Sequence, residues 1–128
     1  MKITVIGGSG FLGSHVADKL TSSNHQVKIF DIIESRYTSR DQVMITGDIM
    51  NKIDLDKAIK GSDIVYHFAG ISDLNQAYDQ PEKTVEKNIL ASIKILKSCI
   101  EHKVKRFIFA STVYVYSNEG GFYRCSKQ

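Results

Sequence analysis

Tyr123 and Lys127 stand four residues apart in the run Tyr123-Arg124-Cys125-Ser126-Lys127. On a helix that spacing puts both side chains on one face. A free phenol loses its proton near pH ~10, too high for a base at neutral pH. A nearby ammonium stabilises the phenolate and lowers that value, so the tyrosine can exchange a proton with an alcohol or a carbonyl. A hydroxyl just upstream could orient the same substrate oxygen, and Ser111 and Thr112 both qualify. Tyr-x-x-x-Lys also arises by chance, so its meaning depends on what the rest of the chain supplies.

The chain supplies a glycine-rich turn at its start. Residues 3 to 13 read Ile-Thr-Val-Ile-Gly-Gly-Ser-Gly-Phe-Leu-Gly, with glycines 7, 10 and 13 at G-x-x-G-x-x-G spacing. Gly7 lets a strand turn sharply, Gly10 lets the backbone approach a pyrophosphate, and Gly13 lets the following helix pack on the strand. The free N–H groups and positive dipole end of that helix favour a diphosphate. A second apolar run, 26 to 30, ends in Asp31, eighteen residues past Gly13. An acidic residue there suits the hydroxyls of an adenosine ribose. Residues 1 to 31 therefore read as a β-α-β unit that holds a dinucleotide.

These groups need a scaffold, and the apolar pattern describes one. Strands are expected at 3–6, 26–30, 43–46, 63–68 and 106–110. A helix over 11–23 is expected to bury Leu12, Val16 and Leu20. Residues 34–42 and 71–80 read as polar connections, and a short helix over 54–60 closes at Gly61. Pro81, the only proline, suits the first turn of a helix reaching about His102, with Val85, Ile89, Ile93, Leu96 and Ile100 as its core face. Tyr114 and Tyr116 alternate with valines as an extension of the fifth strand. A last helix begins near Phe122, with too little body after it to hold Lys127 firmly. Strands alternating with helices predict an α/β fold, a Rossmann-type doubly wound parallel sheet with helices on both faces. Ligands bind such sheets beyond the C-terminal strand ends, where Asp31, Asp48, His67 to Gly70 and Ser111 to Thr112 all fall.

Composition narrows the classes. At 128 residues, 42% hydrophobic and 24% charged, the chain is one domain's worth of ordinary globular sequence. A net charge of +3 from scattered residues gives no nucleic-acid face. No apolar run approaches a membrane span, and with only four apolar residues before the glycines no signal peptide is expected at the N-terminus. Cys99 and Cys125 form no metal-ligand spacing and read as reduced thiols, so no metal and a cytoplasmic location are expected. His67, at a strand end, reads as a hydrogen-bonded structural histidine.

The order Gly7-Gly8-Ser9-Gly10-Phe11-Leu12-Gly13, Asp31, Asp48-Ile49, His67-Phe68-Ala69-Gly70, Asn88, Ala110-Ser111-Thr112 and Tyr123 to Lys127 resembles the extended short-chain dehydrogenase/reductase family. Within it, the NAD-dependent nucleotide-sugar epimerase/dehydratase branch of the UDP-glucose 4-epimerase type is the nearest in pattern. The resemblance implies backbone contacts from Phe11 and Leu12 to the pyrophosphate and ribose binding by Asp31 with Ile32 beside it. It implies adenine contacts from Asp48 and Ile49, and a cofactor wall of Phe68, Ala69 and Gly70 with Asn88 facing the cleft. It also implies Thr112 as the catalytic hydroxyl, Tyr123 as acid/base and Lys127 on the nicotinamide ribose. Asp31 favours NAD over NADP, because a 2′-phosphate would meet a like charge, although Arg36 could blunt that repulsion. Dehydratases of this branch follow the threonine with Asp-Glu; here Val113-Tyr114 follows, which disfavours 4,6-dehydration.

Two readings result. In the first, the chain is the NAD-binding part of a nucleotide-sugar epimerase or related sugar oxidoreductase working by hydride transfer. In the second it is a truncated or regulatory NAD(P)-binding module without activity. The family's chains are far longer, so residues 1–128 are expected to be an incomplete Rossmann domain lacking the C-terminal substrate lobe. A sheet ending at its fifth strand also exposes an edge, which leaves self-association open.

Overall fold

A computed structural model describes residues 1–128, and the alternating apolar runs fold as one parallel sheet. Its strands are β1 (Lys2–Ile6), β2 (Gln26–Asp31), β3 (Gln42–Thr46), β4 (Ile64–His67) and β5 (Arg106–Phe109), in the order β3-β2-β1-β4-β5. Every neighbouring pair is parallel, with Ile6 opposite both Phe30 and His67. The order reverses between β1 and β4, so the strand-end crevice opens beside the glycine turn.

The helices are α1 (Phe11–Ser22), α2 (Lys52–Ile59), α3 (Leu74–Asp79), α4 (Pro81–Thr84), α5 (Ala91–Glu101) and α6 (Gly121–Cys125). A core of Ile6, Phe30, Val65, Leu55, Ile59 and Ile95 joins one sheet face to α2 and α5. Val5, Val27 and Ile29 pack on Ala17 of α1 on the other face. The pleat explains the split, because adjacent residues of a strand point to opposite faces.

Several elements depart from the sequence expectations. α1 buries Gly13, Ser14 and Ala17, whereas Leu12 is exposed and Val16 and Leu20 are only half-buried. Small residues win that face because the helix start must lie against the glycine turn. Residues 71–80 are not all connection: Leu74–Asp79 is helical, and the Asp73 carboxylate accepts the Gln76 N–H at 2.7 Å. Tyr114 and Tyr116 do not extend β5; Val113–Tyr116 is a 3-10 turn that Thr112 caps. α2 begins two residues before the expected Asp54, because the Asn51 side chain accepts the N–H groups of Ile53 and Asp54. Asn51→Ala should cost about 1 kcal/mol of stability, read as a lower urea midpoint with an unchanged slope.

The long helix after Pro81 differs most. α4, a π-helical turn (Val85–Leu90) and α5 run on without a break, since Thr84, Val85, Leu90 and Ala91 all keep right-handed helical dihedrals. Its buried side carries Thr84, Asn88, Ala91, Ile95, Ser98 and Cys99. The expected core face points outward instead, with Ile93 49% and Ile100 77% exposed. No helix is long and apolar enough to cross a membrane.

Candidate functional site

The C-terminal ends of all five strands meet in one cleft of about 590 Å³. From the glycine turn, Gly7, Gly10, Phe11, Leu12 and Gly13 line it. Asp31 and Ile32 enter from β2, Asp48 and Ile49 from the end of β3, and Phe68, Ala69 and Gly70 from the end of β4. Tyr123 and Lys127 complete the wall. Fourteen of the sixteen candidate residues thus converge; Thr112 and Asn88 do not reach the lining. Thr112 is half-buried, with its hydroxyl accepting the Tyr114 N–H at 3.4 Å, while its neighbour Ser111 faces the cleft.

The glycine turn is built by close backbone approach. Gly7 sits at φ +82 and donates its N–H to Phe30 O at 2.8 Å. A β-carbon on Gly13 would overlap Gly7 O and come within 2.8 Å of Gly8 Cα. α1 therefore begins hard against the turn and has no side-chain cap, whereas α2 and α3 are capped by Asn51 and Asp73. The first N–H groups of a helix have no partner within it. At Phe11 and Leu12 they are left to the cleft, where they and the helix dipole favour an anion. A β-carbon on Gly10 would meet only Gly7 O, at 3.4 Å, so the space before the helix is open. The donors and the space fit a pyrophosphate.

Asp31 is oriented by the same turn: one carboxylate oxygen accepts Ser9 N–H at 3.0 Å. Asp48 is held by three neighbours. It accepts the Met50 N–H at 2.8 Å, donates its own N–H to Asp54 at 3.1 Å, and pairs with the Lys87 ammonium at 3.5 Å. Lys94 reaches the same loop at Met50 O, 2.9 Å away. Lys87 also lines the cleft; the sequence pattern missed it because the long helix was oriented by its apolar row.

Lys127 lies just past α6, in a tight turn closed by its N–H to Arg124 O at 3.0 Å. It is nevertheless only 6% exposed, contrary to the expectation of a loosely held lysine. Ser111 Oγ donates to Lys127 O at 3.2 Å, and the ammonium lies 4.8 Å from the centre of the Phe109 ring. Burial holds its pKa below the ordinary lysine value. A charge stacked on an aromatic face recovers part of that desolvation cost. Tyr123 packs edge-on against Tyr114, ring centres 6.3 Å apart.

His67 lies beneath this wall, 1% exposed. Its Nε2 is 3.0 Å from Ser92 Oγ, and that hydroxyl donates to Asn88 O at 2.5 Å. The serine proton being committed, Nε2 must carry the imidazole hydrogen. Nδ1 is then an acceptor, and it has no partner. Burial, and secondarily the Lys127 charge, lower the His67 pKa to about 4. This supports the structural reading of that histidine.

The arrangement matches known proteins along nearly its whole length. The profile of the NAD dependent epimerase/dehydratase family matches residues 3–125. A UDP-glucose 4-epimerase from Klebsiella pneumoniae is 30% identical over 93% of this chain and 94% of that one. A bifunctional UDP-glucose 4-epimerase and UDP-xylose 4-epimerase from Pisum sativum is 30% identical over 90% of this chain, which spans 37% of its length. The solved structure of a UDP-glucose 4-epimerase from Stenotrophomonas maltophila, with bound NAD and formylated UDP-arabinopyranose, is 25% identical with a TM-score of 0.89. It covers 99% of this chain, which spans 45% of that one. With the profile running from β1 to the last residue of α6, the chain belongs to the NAD dependent epimerase/dehydratase family.

Proposed function

We propose that this chain binds NAD across the cleft and serves the oxidation and re-reduction of a nucleotide sugar, as in 4-epimerisation. One observation carries the reading: the uncapped start of α1 and the Tyr123/Lys127 pair face the same cavity. The pyrophosphate would rest on the Phe11 and Leu12 N–H groups, and Asp31 would take the adenosine ribose. That carboxylate favours NAD over NADP, and Asp48 with Ile49 would border the adenine. NAD, when bound, supplies a reversible hydride acceptor for a sugar carbon.

The protein's own part is proton handling and orientation. Tyr123 would take the sugar hydroxyl's proton and return it, while the Lys127 ammonium stabilises the phenolate and holds the nicotinamide ribose. Ser111 or Thr112, at the end of β5, would orient the same oxygen. Val113-Tyr114 after the threonine, in place of an Asp-Glu pair, favours epimerisation over 4,6-dehydration.

The test is retained cofactor plus NADH absorbance on a panel of UDP- and dTDP-sugars. Lys127→Ala and Tyr123→Phe should each lower turnover by roughly a thousandfold while leaving some NAD binding. Unchanged turnover in either would remove that residue from the chemistry. Bound NAD with no turnover on any sugar would limit the chain to binding.

A further inference from the structure

One face of the long helix meets α2 and the loop before it at three levels. Ser98 Oγ donates to Asp56 at 2.8 Å, and nearer the cleft Lys94 Nζ donates to Met50 O at 2.9 Å. At the top Lys87 meets Asp48, but only at 3.5 Å. Glu86 stands 3.4 Å from the same ammonium. Both distances exceed a close ammonium–carboxylate hydrogen bond, about 2.7–2.9 Å. The seam is closed at its two lower levels and loose where Lys87 lines the cleft.

Lys87 is no freely solvated lysine, since its side chain is only 25% exposed. A part-buried ammonium without close acceptors is left short of hydrogen bonds. Asp48 Oδ1 is already engaged by the Met50 N–H at 2.8 Å, which leaves Oδ2 unpaired on a side chain 42% exposed. The other ammonium of the lining, Lys127, is held on the Phe109 ring at the β5 end. An acceptor from Asp48 and a donor from Lys87 therefore stand side by side at the β3 end.

A purine edge carries the complement of that pair. Adenine presents an amino donor beside a ring nitrogen that accepts, whereas a 6-oxo purine presents an acceptor in place of the amino group. Carboxylates accept amino hydrogens, and lysine donates to a ring nitrogen or to a 6-oxo oxygen. We propose that Lys87 is a base-reading residue paired with Asp48, and that it lets the cleft take a 6-oxo purine dinucleotide as well as NAD. Asp48 accepts from the adenine amino group and Lys87 donates to the acceptor beside it. A 6-oxo group has no hydrogen for Asp48, so its oxygen depends on Lys87. This rests on the reading above that places the adenine at Asp48.

Calorimetric titration of the full chain with NAD and with nicotinamide hypoxanthine dinucleotide tests it. The parent should bind the two within about tenfold of each other. Lys87→Met should weaken NAD about tenfold and the hypoxanthine dinucleotide about a hundredfold or more, widening the preference for adenine. Asp48→Asn should narrow or reverse that preference, because the new amide can donate to a 6-oxo group. Lys94→Met, which loosens the same loop from outside the cleft, should leave both affinities within about threefold. Equal losses for the two dinucleotides in Lys87→Met would mean attraction to the diphosphate they share, and would overturn the proposal. So would unchanged affinities, or the same widening in Lys94→Met. If Lys87→Met does not fold, Asp48→Asn still decides, since an unchanged preference there refutes the pair. A parent that binds NAD but rejects the hypoxanthine dinucleotide overturns this inference and leaves the proposed function standing. A parent that binds neither refutes both.

Discussion

Gly10→Ala should leave the fold intact and remove the dinucleotide, whereas Gly13→Ala should damage the fold itself. Gly10 has φ −76, ordinary for any residue, and its β-carbon would meet only Gly7 O at 3.4 Å. The substitution therefore costs little in the free protein. Its methyl group would, however, occupy the open space before the unpaired N–H groups of α1, where the pyrophosphate must come close. NAD affinity should fall by about a hundredfold or more, near 3 kcal/mol. Gly13 has no such freedom: its β-carbon would overlap Gly7 O and crowd Gly8 Cα, both backbone atoms that cannot swing aside. Pushing α1 off the turn should cost about 3 kcal/mol, seen as a much lower urea midpoint. Calorimetric NAD titration beside urea unfolding separates the two effects. Unchanged affinity in Gly10→Ala would take the pyrophosphate away from this helix end.

The contrast shows how far the sequence could be read. Glycine spacing, strand-end polarity and strand alternation were sufficient to place the sheet and most of the cleft, because each is a local consequence of chain geometry. Side-chain direction was not always local. On the long helix two rows of suitable period run one residue apart, and apolarity alone favoured Val85, Ile89, Ile93, Leu96 and Ile100. The sheet side is taken instead by Ala91, Ile95, Ser98 and Cys99, whose smaller or well-fitting side chains let the helix lie close to α2 and the strands. Asn88 belongs to that buried row, which is why it lies behind the cleft lining rather than in it. The helix over 74–79 did leave a trace, an Asp73-x-x-Gln76 cap signal that polar composition obscured. The burial of Lys127 left none. It comes from Phe109 and Ser111, which only the folded β5 end brings near.

Acid should weaken this protein in a window set by His67. The imidazole is enclosed by Ser92, Phe107 and Phe109, with ring centres 6.0 and 5.6 Å away for the two phenylalanines, and the Lys127 charge lies nearby. The folded state therefore refuses a proton until about pH 4, while the unfolded chain accepts one near 6.5. Between those values the unfolded state binds more protons, so stability rises with pH and is lost on acidification. The full difference is about 3 kcal/mol, present above pH ~6.5 and exhausted near pH ~4. Asp56, held low by Lys52 and Ser98, and Asp63, held low by Lys105 and the Lys2 N–H, act in the same direction but below the ordinary carboxylate range. Urea unfolding from pH 4 to 8 should thus show a slope that largely disappears in His67→Gln. An equal slope in parent and variant would mean that water reaches Nδ1 and that the imidazole titrates as if exposed. The neutral form matters to the site as well as to the fold. A charged imidazole would stand against the buried Lys127 ammonium, so a histidine that stays neutral at physiological pH spares that charge a repulsion.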